Sequence, residues 1–149
     1  MKGNKYIVLG MGFGDEGKGM VTDYLSNKLD SDTPGLVVRF NGGHQAGHTV
    51  FKSLTEKHVF SSFGSGSFRN IPTVISKDCV FYPKGLLREY DILKKLTIPT
   101  LYIDSKCPVT TIFDIIYNGV VETKSHGTCG VGIFATLERE RNFYSLLAE

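Results

Sequence analysis

The stretch Gly10-Met11-Gly12-Phe13-Gly14-Asp15-Glu16-Gly17-Lys18-Gly19 decides the fold class, because five of its ten residues are glycine. Glycine lets a backbone turn tightly and approach a ligand closely. The apolar run at residues 6–9 is typical of a buried strand, and apolar residues at helical spacing afterwards predict a helix that begins near Lys18. A glycine-rich turn between a strand and a helix leaves backbone N–H groups unpaired at the positive end of the helix dipole, so it favours an anion such as phosphate.

Two phosphate-binding motifs overlap in this stretch. Gly12-x-Gly14-x-x-Gly17 fits a dinucleotide fingerprint, and Gly12-x-x-x-x-Gly17-Lys18 fits most of a P-loop and adds a lysine for phosphate charge. The Ser or Thr that holds Mg²⁺ in a P-loop is here Gly19, so another oxygen would have to bind the metal, and Asp15 is the nearest candidate. A solvated turn that only favours a helix N-terminus is the alternative, although such a turn rarely needs so many glycines.

The composition favours one globular domain. The chain has 149 residues, 41% hydrophobic and 21% charged, which is enough for a core and ordinary for a globular protein. A net charge of +2 and the absence of a long apolar run predict neither nucleic-acid nor membrane binding. The three cysteines are widely spaced, which favours neither a zinc site nor a disulfide framework, so a reducing, cytoplasmic location is expected.

A second loop is predicted beside the first. Residues 36–40 indicate a strand, and together with residues 6–9 and the helix between them they predict a right-handed βαβ unit with a parallel strand pair. Residues 41–49, the second loop, then leave the same sheet edge as residues 10–17, the first loop, and ligands of open α/β sheets bind at this edge. His48 can exchange a proton near neutral pH, whereas His44 is predicted to be a loop residue bonded to backbone.

Short strands and helices fill the remainder of the chain. Residues 49–51 and 58–60 predict a hairpin, residues 61–70 predict a loop, and residues 73–75, 79–82 and 100–103 predict further strands. Helices are predicted from residue 83 to residue 96, near residues 112–116 and over residues 135–147. The stripe of the first of these that is predicted to be core is Leu86, Leu87, Tyr90, Leu93 and Leu96. A glycine-rich third loop, residues 126–133, predicts a second anion site or a flexible connector.

These elements predict an α/β fold. Its sheet is expected to be P-loop-like, mostly parallel and flanked by helices, with some short antiparallel strands. We expect residues 1–149 to form a single nucleotide-binding domain.

The three loops, in this order, resemble those of adenylosuccinate synthetase, a ligase of purine synthesis. The family's G-D-E-G-K-G matches residues 14–19, and its G-G-H-N-A-G-H-T is similar to residues 42–49. Its G-T-T-G-R-G-I-G is more loosely similar to residues 127–134. Segments at residues 58–62 and 105–108 also look like the family's, so the resemblance runs from about residue 6 to residue 141.

The resemblance implies a reaction. Members of the family use GTP and Mg²⁺ to join IMP to L-aspartate, and the implied protein is a homodimer. In the family, a carboxylate of the first motif takes the N1 proton of IMP and also binds the metal. The 6-oxygen of IMP then attacks the γ-phosphate of GTP, and the amine of aspartate displaces the phosphate.

The resemblance also implies which residues act. Asp15 would be the base and His48 the acid, and Mg²⁺ would be bound by Asp15 and the carbonyl of Gly47. The residues implied to bind GTP are Gly14, Asp15, Glu16, Gly17, Lys18, Gly19, Gly47, His48 and Thr49. The residues implied to bind IMP are Asp15, Lys18, Gln45, Ala46, Gly47, His48, Thr128 and Cys129.

Four departures from the family's motifs bear on the substrates. Gln45 stands where the family has Asn, and Cys129 replaces a Thr that contacts the IMP phosphate, although a thiol is a weaker donor. Val131 replaces an Arg, and residues 134–135 replace Gly-Pro. Because most departures lie in the third loop, the sequence supports GTP binding better than IMP binding. The Arg that a dimer partner contributes in the family falls near residue 143, and Arg139 or Arg141 could substitute for it.

Two other functions stay open at this stage. Family members are much longer, and their aspartate-binding and guanine-reading motifs fall beyond residue 149, so a nucleotide-binding module without complete ligation is one alternative. A nicotinamide- or flavin-dependent oxidoreductase is the other. That fold wants an acidic residue at the end of the second strand, where this chain has Phe40 and Asn41.

Overall fold

The structure is a computed structural model that describes residues 4–29, 34–121 and 129–149. These ranges hold short strands alternating with helices, as the sequence predicts. In chain order the elements are α1 (Lys18–Asn27), β1 (Val37–Arg39), β2 (His48–Phe51), β3 (Lys57–Phe60), a 3₁₀ helix (Ser65–Arg69), β4 (Thr73–Ile75), α2 (Pro83–Leu93), β5 (Leu101–Ile103), α3 (Ile112–Val121) and α4 (Ile133–Asn142).

Two sheets organise the described residues. The larger has strand order β1-β4-β5 and is parallel throughout, with Val37 opposite Thr73 and Thr73 opposite Leu101. The smaller is the antiparallel hairpin of β2 and β3, in which His48 lies opposite Phe60. The predicted α/β class, with a mostly parallel sheet and some short antiparallel strands, is confirmed.

The strand predicted at residues 6–9 is wrong, and so is the βαβ unit built on it. This segment is extended but belongs to no sheet, and Ile7 and Leu9 are 79% and 64% exposed. The strand β1 lies at the edge of the sheet beside β4, and residues 6–9 do not pair with its other edge. The strand predicted at residues 79–82 is likewise reduced to one isolated bridge between Phe81 and Val109.

The prediction of a loop at residues 61–70 is also wrong. This segment contains the 3₁₀ helix, and residues 62–68 are all buried. Close packing explains this burial, because a β carbon at Gly64 or Gly66 would lie 2.6 Å from the side chain of Val37. Its polar groups are satisfied internally; for example, the amide of Gly64 donates to Thr73 Oγ1 at 2.9 Å.

The main core cluster lies between the hairpin, this buried segment and α2. It consists of Val50, Phe60, Phe63, Phe68 and Leu93. The rings of Phe60 and Phe68 meet edge to face with centroids 5.0 Å apart, a favoured aromatic geometry. The predicted core stripe of α2 is correct for Leu93 and for the partly buried Leu86 and Leu96, but Leu87 and Tyr90 are 60% and 40% exposed.

The last helix starts two residues earlier and ends earlier than the sequence predicts. Helix α4 stops at Asn142 instead of continuing to residue 147. The chain then turns back, since Val109 donates its amide to Leu146 O at 2.9 Å and Ala148 donates to Cys107 O at 3.1 Å. This pairing removes the C-terminal residues from helical geometry.

The helices are all short. Helix α3 is the most apolar, and it has 10 residues. Within the ranges given above, no helix combines the length and apolarity needed to cross a membrane.

Candidate functional site

The first loop delivers a set of open backbone donors to the start of α1. Gly17 is the N-cap of that helix with φ of 70°, a left-handed conformation that favours glycine, and no side chain caps the helix. Asp15 is also left-handed, with φ of 52°, and its side chain is exposed. The amides of the first turn and the positive helix dipole therefore face outward, as an anion site requires.

The carboxylate of Glu16 occupies part of this donor set. It accepts a hydrogen bond from the amide of Gly12 and forms an ion pair with Lys18 Nζ. The hydrogen bond from Lys18, followed by the one from Gly12, lowers the pKa of Glu16. The same donors that would hold a phosphate oxygen are thus engaged by an anion of the loop itself.

Helix α1, which directly follows the first loop, meets the second loop at Gly19. A β carbon there would lie 2.5 Å from His48 Cβ and 3.3 Å from Val50 Cγ2, so only glycine fits. Ser65 Oγ fixes the same residue from the buried segment by donating to Gly19 O at 2.8 Å. The missing Ser or Thr of the P-loop pattern therefore has a steric cause: the side chain of His48 fills the space that its β carbon would need.

The second loop is held from several sides. Arg39, at the end of β1, donates from Nη2 to Gly43 O at 2.9 Å and from Nη1 to Ser61 O. Within the loop, the amide of Gly43 donates to Gln45 Oε1 at 2.7 Å. A thiol hydrogen bond from Cys79 Sγ to Asn41 O, 3.4 Å long, adds a further contact. These bonds fix the backbone that carries Gly47 and His48.

His48 lies half-buried at the start of β2, between two cations. Burial is the largest cause that lowers its pKa, followed by the positive charges of Arg39 and Lys18. The imidazole is therefore neutral near pH 7 and can donate a hydrogen bond from its N–H. An anion bound beside Lys18 would offset the two positive charges.

A groove of about 850 Å³ runs between the two loops. Its volume lies within the range of small-ligand sites. It contains eleven of the thirteen residues predicted for the site: Gly14, Asp15, Glu16, Gly17, Lys18, Gly19, Gln45, Ala46, Gly47, His48 and Thr49. The two loops therefore line one groove, as the sequence predicts, although the βαβ unit behind that prediction does not form and the roles of individual residues stay predictions.

The described part of the third loop, residues 129–133, does not line this groove. Cys129 is exposed and is not among the groove residues, and Thr128 lies outside the described residues. The following helix does reach the second loop, because a β carbon at Gly43 would lie 2.9 Å from Ile133 Cδ1. The start of α4 is therefore beside the second loop, while the predicted contacts of Cys129 with IMP stay a prediction.

Several groove residues were not predicted from the sequence. They are Arg39, Phe63, Gly64 and Ser65, together with Val8, Leu9 and the backbone at residues 37–43. For Arg39 a signal existed, because it is the one charged residue in the apolar run 36–40. Burial of this guanidinium lowers its pKa, and it still contributes positive charge toward the groove.

Arg139 does not have the free guanidinium that a phosphate contact would need. Its Nε donates to Asp114 Oδ1 at 3.0 Å, its Nη1 donates to Glu140 Oε1 at 2.7 Å, and its Nη2 donates to Val109 O at 2.7 Å. This buried network joins α3 to α4. Of the two arginines considered as substitutes for the family's partner residue, only the exposed Arg141 remains a candidate.

The donor set of the groove fits a hard divalent cation. Asp15, which has a carboxylate, and Gly47, which has a backbone carbonyl, are exposed residues that line the groove. Mg²⁺ prefers oxygen ligands and keeps several from water and phosphate. Over the described ranges, no cluster of three or more His, Cys, Asp and Glu side chains could hold a metal. A magnesium site here would therefore draw most of its ligands from a bound nucleotide and water.

Comparison with protein families gives one consistent match. The family model for adenylosuccinate synthetase matches residues 7–142. Adenylosuccinate synthetase 1 of Pseudoalteromonas translucida is 39% identical over 139 residues, which are 88% of this chain and 30% of that protein. Adenylosuccinate synthetase of Thermoplasma volcanium is 45% identical over 89 residues, 60% of this chain and 19% of that protein. The chain thus spans about 30% of the length of the curated relatives that it matches over most of its residues.

Solved structures show the same similarity. Fully ligated adenylosuccinate synthetase from Plasmodium falciparum superposes with a TM-score of 0.77 at 25% identity, over 91% of this chain and 32% of that one. Succinoaminodeoxyadenylate synthetase of cyanophage S-2L, bound to dGMP and to dATP as an energy donor, shares the fold with a TM-score of 0.70 at 20% identity, over 92% and 39%. None of these relatives is described as a nicotinamide or flavin oxidoreductase, so the dinucleotide alternative loses its support.

Proposed function

This chain belongs to the adenylosuccinate synthetase family, and on that premise we propose that its groove binds GTP, Mg²⁺ and IMP for the phosphoryl-transfer step of that ligase. The observation that carries the proposal is the contact of Gly19 with His48, which joins the phosphate-binding turn to the histidine loop. The full reaction would join IMP to L-aspartate in the synthesis of AMP. The proposed protein is a single nucleotide-binding domain that acts in the cytoplasm as a homodimer.

The first loop and α1 would hold the nucleotide phosphates. The open amides before α1 and the ammonium of Lys18 neutralise phosphate charge, which is the main requirement of phosphoryl transfer. Glu16 would release Lys18 and the amide of Gly12 when the nucleotide arrives. The backbone of residues 14–19 thereby supplies most of the binding, with Gly47, His48 and Thr49 on the opposite wall.

Asp15 and His48 would carry the proton chemistry. The carboxylate of Asp15 would accept the N1 proton of IMP, which makes the 6-oxygen nucleophilic. The neutral imidazole of His48 would donate a hydrogen bond to the phosphoryl group that is transferred. The amine of L-aspartate would then displace the phosphate from the 6-position of IMP.

Asp15 and the carbonyl of Gly47 would hold Mg²⁺. When bound, the ion neutralises phosphate charge and orients the γ-phosphate for in-line attack. Asp15 would serve this purpose in place of the hydroxyl that Gly19 lacks. The exposed position of both residues at the groove supports this assignment.

Support for IMP is weaker than support for GTP. Lys18, Gln45, Ala46, Gly47 and His48 line the groove, but the third loop, with Thr128 and Cys129, carries most of the departures from the family. Moreover, the amide oxygen of Gln45 already accepts a bond from its own loop. The second candidate function is therefore a nucleotide-binding module without turnover, which these departures and the occupied amide oxygen of Gln45 favour.

Calorimetry with GTP and Mg²⁺ separates these possibilities from a chain that binds no nucleotide. We expect Mg²⁺-dependent binding that is lost in Asp15→Asn and retained in Asp91→Asn, a control on the exposed face of α2. Phosphate release from GTP that requires both IMP and L-aspartate would establish the ligase. Binding without release under any mixture would establish the module, and binding that Asp15→Asn leaves unchanged would overturn the assigned metal ligand.

A further inference from the structure

His44 is not bonded to backbone, contrary to the sequence prediction, and it holds the second loop through a side-chain contact. Its Nδ1 shares a hydrogen bond of 2.8 Å with Ser62 Oγ, whose direction follows the tautomer of the ring. The ring meets Tyr82 edge to face, with centroids 5.7 Å apart. It also lies against the first turn of α2, where a β carbon at Gly85 would be 2.6 Å from His44 Nε2.

Ser62, the hydrogen-bond partner of His44, lies in a segment whose backbone is held by Glu89. Glu89 of α2 is 6% exposed, and its carboxylate accepts three successive amides, from Ser61 at 3.1 Å, Ser62 at 2.6 Å and Phe63 at 3.3 Å. The hydroxyl of Ser62 is thereby fixed relative to α2. Because His44 bonds to this hydroxyl, the second loop is held in place relative to the buried segment and α2.

His44 is the residue of the second loop best placed to receive this support. It stands directly before Gln45 and Ala46, and it is four residues before His48. The backbone on either side is already folded into a tight turn, because Ala46 donates its amide to Gly43 O at 3.4 Å. Loss of the His44 contact would leave this turn attached through the guanidinium of Arg39 and through the amide of Val80, which donates to Gly42 O at 2.8 Å.

The charges around His44 keep its ring neutral. Burial is the largest cause that lowers its pKa; Glu89 opposes this, while Arg39 and Arg88 add to it. Tyr82 and Ser62 also contact the ring. A neutral ring keeps both a donor and an acceptor nitrogen, so it can bond Ser62 without placing a second cation beside Arg39.

We propose that His44 is a positioning residue that sets the geometry of Gly47 and His48 by its Nδ1 bond to Ser62 and its packing on α2. The expected effect of His44 on nucleotide binding rests on the proposed function, whereas its expected effect on the conformation of the second loop does not. His44 acts through the backbone of residues 45–48 and touches no reacting atom. Its role therefore depends on where the polar atom of the side chain stands, and not on the charge of the ring.

Two amide substitutions test this dependence on position. In His44→Asn the side-chain amide overlays Nδ1 and can still reach Ser62 Oγ, whereas in His44→Gln the amide stands near Nε2 and cannot. We expect His44→Gln and His44→Ala to weaken Mg²⁺-GTP binding about tenfold, as loss of one buried hydrogen bond does, and His44→Asn to stay within about threefold of the parent. Ser62→Ala should match His44→Ala, and the double variant should be no weaker than either single one.

Amide hydrogen exchange on the nucleotide-free protein tests the loop directly. We expect the amides of Gly43 and Ala46 to exchange faster in His44→Ala, His44→Gln and Ser62→Ala than in the parent. In His44→Asn their exchange should stay slow, and the amides of β4 should be unchanged in all variants. Unaltered exchange at Gly43 and Ala46 in His44→Ala and in Ser62→Ala would overturn the inference. A parent protein that binds no GTP would instead overturn the proposed function, and the exchange result would still decide the role of His44.

Discussion

The two loops of the groove are held in opposite ways. The first loop is exposed, and its principal side-chain contacts are made by its own Glu16 to Gly12 and to Lys18. The second loop is held by residues from outside it, with Arg39 and Ser62 as the main partners. One wall of the site is therefore built by the fold, while the other is held by an internal anion that a phosphate can replace.

This difference suggests different tasks for the two loops: the second loop positions His48, and the first loop neutralises phosphate charge. The hydrogen-bond donor role proposed for His48 needs a fixed position, because small displacements of a catalytic group reduce rates strongly. Backbone amides that hold a phosphate can instead complete their geometry when the ligand binds, since the ligand itself supplies the organising charge. The comparison predicts that perturbing the support of the second loop costs stability, whereas perturbing the first loop changes binding.

The largest expected effect is at Glu89. Its buried carboxylate accepts three amides and lies 3.4 Å from His58 Nε2, so Glu89→Ala would leave several buried donors without an acceptor. We expect a loss of about 3–5 kcal/mol in the free energy of unfolding, measured by urea denaturation. Glu89→Gln keeps one acceptor oxygen and should lose less. A loss below about 1 kcal/mol in Glu89→Ala would contradict the rigid support of the second loop.

The next effect is at the contact between the loops. Gly19→Ala would place a β carbon against His48 Cβ, and we expect a loss of about 1–3 kcal/mol in the free energy of unfolding and a loss of GTP affinity greater than tenfold. Gly119→Ala in α3 is the matched helical control, because its β carbon would meet no atom of the described residues outside its own helix within 4 Å. Equal behaviour of the two variants would show that the contact between the loops is not specific.

The pH dependence of stability is a smaller effect with a definite sign. Burial lowers the pKa values of His44 and His48 below the usual 6.5, so the unfolded chain binds more protons as the pH falls through that value. The free energy of unfolding should therefore decrease between pH 7.5 and pH 5.5 and level off below the folded-state pKa values. Denaturation at several pH values measures this, and His44→Asn or His48→Asn should each reduce the slope. A flat profile in the parent protein would contradict the burial of both rings.

The smallest effect on stability, and the sharpest contrast with Glu89, is at Glu16. Glu16→Gln removes an exposed carboxylate that competes with phosphate for Lys18, so we expect unchanged denaturation and a several-fold gain in GTP affinity. Titration calorimetry measures the affinity, and added salt should reduce the difference in GTP affinity between Glu16→Gln and the parent protein. A several-fold weaker affinity would mean that Glu16 helps to bind the nucleotide.

The site was more predictable than the sheet that carries it. Glycine spacing and the lysine at position 18 identify a phosphate turn locally, and the histidine loop has its own motif, so both were found from the sequence. The apolar run at residues 6–9 was misassigned because pairing depends on which strand lies beside β1, and that strand is β4, far away in the sequence. Local patterns do not contain this information.

The support behind the second loop was hidden for a related reason. The segment at residues 61–70 has the serine and glycine composition of an exposed loop, yet it is buried because Gly64 and Gly66 pack against Val37 and because Glu89 satisfies its amides. Composition does not reveal which distant side chain will accept a buried N–H group. Arg39 and Glu89 were accordingly missed, although Arg39 stands out as the one charged residue in the apolar run 36–40.

The central claim is that both loops grip one magnesium–nucleotide phosphate group, and the most direct test is a nuclear magnetic resonance titration of isotope-labelled protein with GTP and Mg²⁺. We predict that the backbone amides of Gly17 and Lys18 and the imidazole of His48 shift along one saturation curve, and that Asp15→Asn abolishes the shifts. Saturable shifts in the first loop while the His48 resonances stay unmoved, or no shift in either loop, would contradict the account.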